Sequence, residues 1–235
     1  MIIYSIVIQK LLTTNAHIVR QVATNYFKQF TYGFRNRQAI IDSDKTLICL
    51  RNALNFFFYL SRDPSSSFLF INTNPFFRPI IVEMSTRVSS LSNERAGSLW
   101  RLRGFLTNSF SPKKFRSRNK KLVSTPTKMP DCVVIFATER KSLVFLEAER
   151  LGIPIVALVD SSMPWEYYKK VTYLISANDS VHFVYLVCNM ITMCLMLEKK
   201  KDGAKGIGTK ATSVWNIGLD GNVWCFGVLL LKCGF

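Results

Sequence analysis

The side chains in this chain that are best suited to binding chemistry are cations, and most of them lie in one stretch. Residues 111–121 read SPKKFRSRNKK, in which six of eleven positions are Lys or Arg and none is acidic. Ten cations and no Asp or Glu occur between Arg95 and Lys128. A short run of charge is usually only a solvated face, but a stretch of this length repels itself unless an anion lies against it. The pattern therefore predicts a surface that binds a polyphosphate such as RNA.

The positive charge belongs to one part of the chain. Residues 1–128 carry 20 basic and 5 acidic side chains, whereas residues 129–235 carry 11 and 10. Charge that is concentrated in this way indicates a binding footprint rather than a general aid to solubility. Phe115, within the basic run, either stacks on an exposed base or packs back onto its own domain. The predicted phosphate contacts are Arg35, Arg37, Arg101, Arg103, Lys113, Lys114, Arg116, Arg118, Lys120 and Lys121.

A second interpretation is an enzyme or receiver-type module that uses Asp160 with Ser161 or Ser162. These residues follow an apolar strand, and doubly wound sheets bind ligands at the carboxyl ends of their strands. Asp and Ser at such a position also stabilise an ordinary turn, which we favour. The two histidines, His17 and His182, have no Cys or acidic cluster at ligand spacing. The sequence thus predicts no catalytic set, metal, cofactor or small-molecule substrate.

The elements that must position these residues alternate between helix and strand. Strands that are apolar on both faces and separated by helices predict an α/β fold with an open, doubly wound parallel sheet and helices on both faces. Predicted helices span residues 45–60, 75–88, 139–152 and about 178–199, and predicted strands span 67–73, 132–137, 153–160 and 171–175. We expect one α/β domain over residues 1–199, with a basic loop at about 95–128 and a flexible tail at 200–235.

Local signals refine these elements. In the helix over residues 139–152, Glu139 and Glu147 to Arg150 form the predicted polar side, and Gly152 is a plausible C-terminal cap. Asn178 or Asp179 is expected to cap the last helix. The apolar stretch 183–197 predicts a buried helix rather than a membrane span. The six cysteines include no C-x-x-C pair and are expected to be reduced thiols.

Five strings occur in order along the chain: YGFRNRQAIIDSDKTLICLRNALNF, FLFINTNP, WRLRGFLTN, PDCVVIFATERKSLVFLEAERLGIPIVALVDSSMP and ISANDSV. Together they resemble the S2 family of small-subunit ribosomal proteins, and the similarity runs from about His17 to Leu197. The sequences of the basic run and of the PWEYY string most resemble the plant mitochondrial branch of that family. The first twelve residues show no import signal, which suits a protein made inside the organelle.

The resemblance implies a flavodoxin-like sheet in the small ribosomal subunit of the mitochondrial matrix. It implies contacts with ribosomal RNA and neighbouring ribosomal proteins, no membrane and no enzymatic activity. Trp100 and the pair Phe105 and Leu106 are then expected to anchor an RNA-facing loop to the core. Bacterial members carry a long helical hairpin after the W...LTN block, whereas residues 109–129 are too few for one. The tail after Lys200 has no family counterpart.

Overall fold

Five parallel strands form the central sheet of this computed structural model, and a smaller antiparallel sheet precedes them. The structure describes residues 2–19, 25–63, 65–88, 91–92, 104–107, 129–137 and 142–204. The strands are β1 (Ile18–Val19), β2 (Thr31–Arg35), β3 (Gln38–Ile41), β4 (Phe68–Ile71), β5 (Leu91–Ser92), β6 (Cys132–Ile135), β7 (Ile155–Val159) and β8 (Tyr173–Ser176). The helices are α1 (Ile2–Thr13), α2 (Ser43–Leu60), α3 (Arg78–Val88), α4 (Leu143–Arg150), α5 (Trp165–Tyr168) and α6 (Val181–Ala204).

The strand order of the large sheet is that of a flavodoxin-like fold. Its strands lie in the order β5-β4-β6-β7-β8, and every neighbouring pair is parallel. Numbered along the chain, this is 2-1-3-4-5, the flavodoxin-like order of a doubly wound sheet. The fold class predicted from the apolar strand runs is therefore confirmed.

Both faces of the sheet are buried, which explains why its strands lack a polar side. Phe68 and Phe70 of β4 pack into one cluster with side chains of α2, α3 and α6. The alternate residues, Leu69 and Ile71, pack into a second cluster with α4 and the small sheet. Successive residues of a strand point to opposite faces, so a strand that is buried on both sides must be apolar throughout.

The antiparallel sheet was not predicted. It has the order β1-β3-β2, and β2 and β3 form a hairpin whose turn is Asn36 and Arg37. Both turn residues have positive φ, 49° and 62°. Two-residue hairpins with a type I′ turn require positive φ at both positions and usually place Gly in the turn. An Asn-Arg turn gives a weaker signal, since Asn tolerates the left-handed region but Arg rarely adopts it.

The starts of two helices show one side-chain cap that was not predicted and one predicted cap that is corrected. The carboxylate of Asp42 accepts a hydrogen bond from Asp44 N (3.0 Å) and caps α2. The cap of α6 is Ser180, whose Oγ accepts from Phe183 N (3.1 Å), rather than Asn178 or Asp179. Ser provides the same acceptor one residue closer to the helix, and Asn178 instead donates its backbone N–H to Ala16 O (2.7 Å).

The C-terminal end of α4 provides a prediction about stability. Gly152 has φ +69° and closes the helix, as predicted, with open space around the position of a Cβ atom. Gly152→Ala should therefore lower the free energy of unfolding by about 1 kcal/mol, through backbone strain alone. Urea denaturation would measure this. Gly33→Ala is the matched control, because Gly33 also has open space but lacks a positive φ. Equal costs at the two positions would contradict the explanation.

Two expectations about apolar segments also have outcomes. Within the residues that the structure describes, no helix is long and apolar enough to cross a membrane. The stretch 183–197 lies in α6, and Phe183, Val187 and Ile191 belong to the core.

Cys132 and Cys188 are free thiols, and burial raises the pKa of each thiol above its ordinary value. Both lie in the first core cluster, where a free thiol packs as a small apolar side chain.

Candidate nucleic-acid interface

The β2–β3 hairpin carries two of the ten predicted phosphate contacts. Arg35 ends β2, opposite Gln38, and Arg37 is the second residue of the turn. Both side chains are exposed, as expected. The other eight predicted contacts lie outside the described residues, so the structure neither joins them to the hairpin nor separates them from it. They are Arg101, Arg103, Lys113, Lys114, Arg116, Arg118, Lys120 and Lys121.

Two aromatic side chains on the same hairpin were not identified from the sequence. Tyr32 is 82% exposed and Phe34 is 58% exposed. The pairing of β2 with β3 shifts between Thr31 and Gly33, so Tyr32 lies in a β-bulge and has no partner on β3. A bulge bends its strand and re-aims the side chain that it carries. The sequence signal was available in the spacing of Tyr32 and Phe34 just before two arginines.

The hairpin is fixed to the body of the protein at its base. Asp42 N donates to Phe30 O (2.8 Å), and Ile41 N donates to His17 O (2.8 Å). Lys45 Nζ of α2 reaches Gln29 O at 2.5 Å. Phe27, in the 3-10 turn before β2, is fully buried in the second core cluster. These contacts give the exposed tip a rigid support.

An aromatic group borders the base of the hairpin. Gln29 Nε2 donates to the hydroxyl group of Tyr168 (2.6 Å). Burial raises the pKa of the Tyr168 hydroxyl group above its ordinary value. The ring of Tyr168 stacks on Trp165, with centroids 5.3 Å apart, and Lys169 Nζ lies 5.0 Å from the Trp165 centroid. Trp165 remains 46% exposed. Aromatic and cationic groups are therefore present at both the base and the tip of this region.

A buried carboxylate holds residues 104–107, which belong to the predicted basic loop. Glu147 of α4 is only 6% exposed, and its oxygens accept hydrogen bonds from the backbone N–H groups of Gly104, Leu106 (2.8 Å) and Thr107 (3.5 Å). Phe105 and Leu106 are each 1% exposed in the second core cluster. Both side chains pack into the core, as predicted, whereas Trp100, the third predicted anchor, lies outside the described residues. Helix α4 therefore fixes residues 104–107 of the predicted basic loop.

The same contacts correct the predicted face of α4. Glu147 was assigned to the polar side of the helix, but it is buried, while Leu146 is 38% exposed. Helical spacing suggests which residues share a face, but a carboxylate can replace an apolar side chain there when backbone donors satisfy it. The three N–H groups of the turn are those donors. Glu149, two residues later, is exposed, as the sequence indicated.

The alternative site at Asp160 has the geometry of a turn. Asp160 Oδ1 accepts from Ser162 N (3.0 Å), and the Ser162 hydroxyl lies 2.8 Å from each carboxylate oxygen. A cavity of about 200 Å³ adjoins it, lined in part by Met163, Tyr167 and Asp179. In the described part of the chain, no cluster of His, Cys, Asp or Glu could hold a metal ion. The turn interpretation explains these serine contacts without a ligand.

His17 does not contribute a charged group to the candidate interface. It is half-buried, and burial lowers its pKa below the ordinary value. A lowered pKa keeps the imidazole uncharged at neutral pH, so His17 does not add to the cationic surface. Its backbone carbonyl, rather than its ring, takes part in the architecture by accepting from Ile41.

Comparison with known proteins gives a consistent family match. A sequence model described as "Ribosomal protein S2" matches residues 11–125 and 109–196. A protein of Arabidopsis thaliana named small ribosomal subunit protein uS2m is 55% identical, over 87% of this chain and 94% of its own length. A protein of the same name from Marchantia polymorpha is 36% identical, over 85% of this chain and 95% of its own. The uS2 protein of Dictyoglomus thermophilum is 27% identical, over 81% and 89%.

Proposed function

The chain belongs to the ribosomal protein S2 family, and from that membership we propose that it is a structural constituent of the mitochondrial small ribosomal subunit. The observation that carries the proposal is the 55% identity to the Arabidopsis protein uS2m, whose name assigns it to the small subunit and whose suffix denotes the mitochondrial form. The identity extends over nearly the whole of that relative. The chain's partners are then ribosomal RNA and neighbouring proteins of the small subunit.

The proposed role is assembly and support rather than catalysis. Members of this family are structural proteins, and the Asp160 turn gives no reason to add an enzymatic activity. The flavodoxin-like sheet serves here as a scaffold, which illustrates that a fold by itself does not define an activity. The alternative of a flavin- or phosphate-binding enzyme is therefore not favoured.

The cationic residues are proposed to bind ribosomal RNA through its phosphates. Arg35 and Arg37 are exposed on the hairpin, and the six cations of residues 111–121 belong to a sequence stretch without acids. Neutralising about six phosphates would release their counterions and give a log–log salt dependence of roughly −4 to −5. Arg101 and Arg103 are proposed to join this surface, because Glu147 holds the turn that follows them.

We also propose the organisation of the chain along its length. Residues 1–199 would form the ribosomal domain, residues 95–128 its RNA-facing loop, and residues 200–235 a tail. The short segment 109–129 would replace the helical hairpin of bacterial members with a basic loop. Helix α6 continues to Ala204 in the structure, and the residues beyond it are outside the described part of the chain.

Sedimentation of a mitochondrial lysate through a gradient in magnesium buffer tests the proposed function. The protein should migrate with the small subunit and should be released from it by high salt, because its RNA contacts are largely electrostatic. A protein that remains near the top of the gradient in low salt would contradict the proposal. The outcome does not depend on any individual side chain.

The hairpin arginines provide a more specific prediction. The double variant Arg35→Gln, Arg37→Gln should weaken RNA binding and make the log–log salt slope shallower by roughly 1.5, as expected for the loss of two phosphate contacts. A fluorescence titration of the full chain with RNA at several salt concentrations would measure both effects.

The matched control removes two exposed cations elsewhere. Arg62 follows the far end of α2, and Arg87 lies on α3. The double variant Arg62→Gln, Arg87→Gln loses the same charge but should keep a slope close to that of the unmodified chain. If both double variants change the slope equally, the hairpin is not a specific contact.

A further inference from the structure

We propose that Tyr32 and Phe34 form a stacking platform for unpaired bases of RNA, beside the phosphate contacts of Arg35 and Arg37. The inference rests on the proposed function and deepens it, because it names the chemical state of the RNA that this hairpin recognises. It concerns single-stranded nucleotides rather than the backbone of a duplex.

The first argument is the exposure of the two rings. Tyr32 and Phe34 are 82% and 58% exposed, although the hairpin that carries them is anchored to a well-packed core. The other strongly exposed aromatic side chains have different settings. Phe76 is a single ring on a 3-10 turn, and the ring of Tyr59 is covered by the guanidinium of Arg62, 5.0 Å from its centroid. Among the residues that the structure describes, only the hairpin pairs two open rings with two exposed cations.

The second argument is charge. Residues 1–41 contain no Asp or Glu, and the first acid, Asp42, caps α2 and lies 3.8 Å from Lys45 Nζ. The strands and turn of the hairpin therefore carry aromatic and cationic side chains and no carboxylate of their own. Phosphates match the cations and base faces match the rings, and single-stranded nucleic acid offers both at each nucleotide.

The third argument is spacing. Residues two apart in a strand are separated by about 6–7 Å, so each ring has room for its own base. The bulge at Tyr32 removes that residue from the regular pairing with β3 and lets its ring adopt a direction of its own. Bases inside a duplex are already stacked on each other, so the rings of Tyr32 and Phe34 cannot stack on them. Loops and bulges, whose bases are free, are the RNA elements that aromatic side chains recognise.

The test is a titration of the full chain with a 12-nucleotide mixed-sequence single-stranded RNA and with a duplex of the same length. The variant Tyr32→Leu, Phe34→Leu keeps apolar bulk but removes both π faces. We expect it to bind the single strand at least about tenfold more weakly, since each stacked base contributes on the order of 1–3 kcal/mol. Its affinity for the duplex and its salt slope should be unchanged, because no charge is altered.

The matched control exchanges the rings, Tyr32→Phe with Phe34→Tyr, and should bind both RNAs like the unmodified chain. Both variants should keep the same melting temperature, because the replaced side chains are exposed. A leucine variant that binds the single strand as tightly as the unmodified chain would overturn the inference.

A second readout uses assembled subunits. Ultraviolet irradiation of isolated small subunits should produce a nucleotide adduct on Tyr32 or Phe34, detected by mass spectrometry of the peptide. Subunits that contain the protein but give no adduct on either ring would count against the platform while leaving the proposed function intact. Absence of the protein from the subunits would contradict the proposed function, whereas the titration with free chain would still report on the rings.

Discussion

Small subunits should not incorporate a chain in which all six cations of residues 111–121 are replaced by Glu. The change lowers the formal net charge of the chain from +16 to +4 and places six anions where we propose contacts with phosphates. Repulsion then replaces attraction at each contact, so RNA affinity should fall by a factor of at least about 10³ at 0.1–0.2 M salt. The replaced residues are Lys113, Lys114, Arg116, Arg118, Lys120 and Lys121.

Incorporation is measured by expressing the tagged variant in mitochondria and locating it on a magnesium gradient. Replacing the same six residues with Gln provides an intermediate variant, which should be incorporated weakly and only in low salt. The purified Glu variant should keep its circular dichroism spectrum, because the core clusters of the described residues are built from apolar side chains in other parts of the chain. Normal migration of the Glu variant with the small subunit would contradict the proposed interface.

Glu147→Leu should destabilise the folded protein by about 3 kcal/mol. The change leaves the N–H groups of Gly104, Leu106 and Thr107 without the acceptor that they now share. Hydrogen bonds to a charged acceptor contribute on the order of 1.5–3 kcal/mol each, and a buried unsatisfied donor costs about 1–3 kcal/mol. The apolar surface of Leu recovers part of this loss. Urea denaturation would measure the difference in the free energy of unfolding.

A matched variant separates the hydrogen bonds from the charge. Glu147→Gln retains one acceptor oxygen and should cost less than Glu147→Leu, about 1–2 kcal/mol. Glu149→Gln is the surface control, and the pair that exposed Glu149 forms with half-buried Lys170 should contribute less than about 1 kcal/mol. Hydrogen exchange provides a local readout, since the amide of Leu106 should lose protection in the leucine variant. Unchanged protection at Leu106 would show that Glu147 does not hold the turn.

The large sheet was predictable because its physical causes are local and repeated. Strands such as FLFI and IVALV are apolar at every position, which only a sheet covered on both faces requires. The helix α2 shows the periodic apolar face and the preceding acid that a helix start favours. These patterns each involve a few neighbouring residues, so they can be identified without knowledge of distant contacts.

The candidate interface was harder to predict because its determinants are distant in the sequence or break local preferences. Glu147 is buried by donors that lie about forty residues earlier, which no helical periodicity can show. The hairpin depends on positive φ at Asn36 and Arg37, where a Gly would have been the usual signal. The exposure of Arg35 and Arg37 was foreseen. Tyr32 and Phe34 were missed, because their spacing before the two arginines is a weak signal and the bulge at Tyr32 cannot be identified from the sequence.

The turn at Asn36 and Arg37 also has a thermodynamic consequence for association. Holding Arg37 at φ 62° costs folding free energy of roughly 1 kcal/mol that a glycine would avoid. If Arg37 contacts RNA as we propose, its cation is carried on a backbone that is already ordered in the free protein. A flexible loop would lose conformational entropy when it binds RNA, whereas this turn has already lost that entropy when the protein folds. Preorganisation of this kind should lower the dissociation rate of the RNA complex rather than raise its association rate.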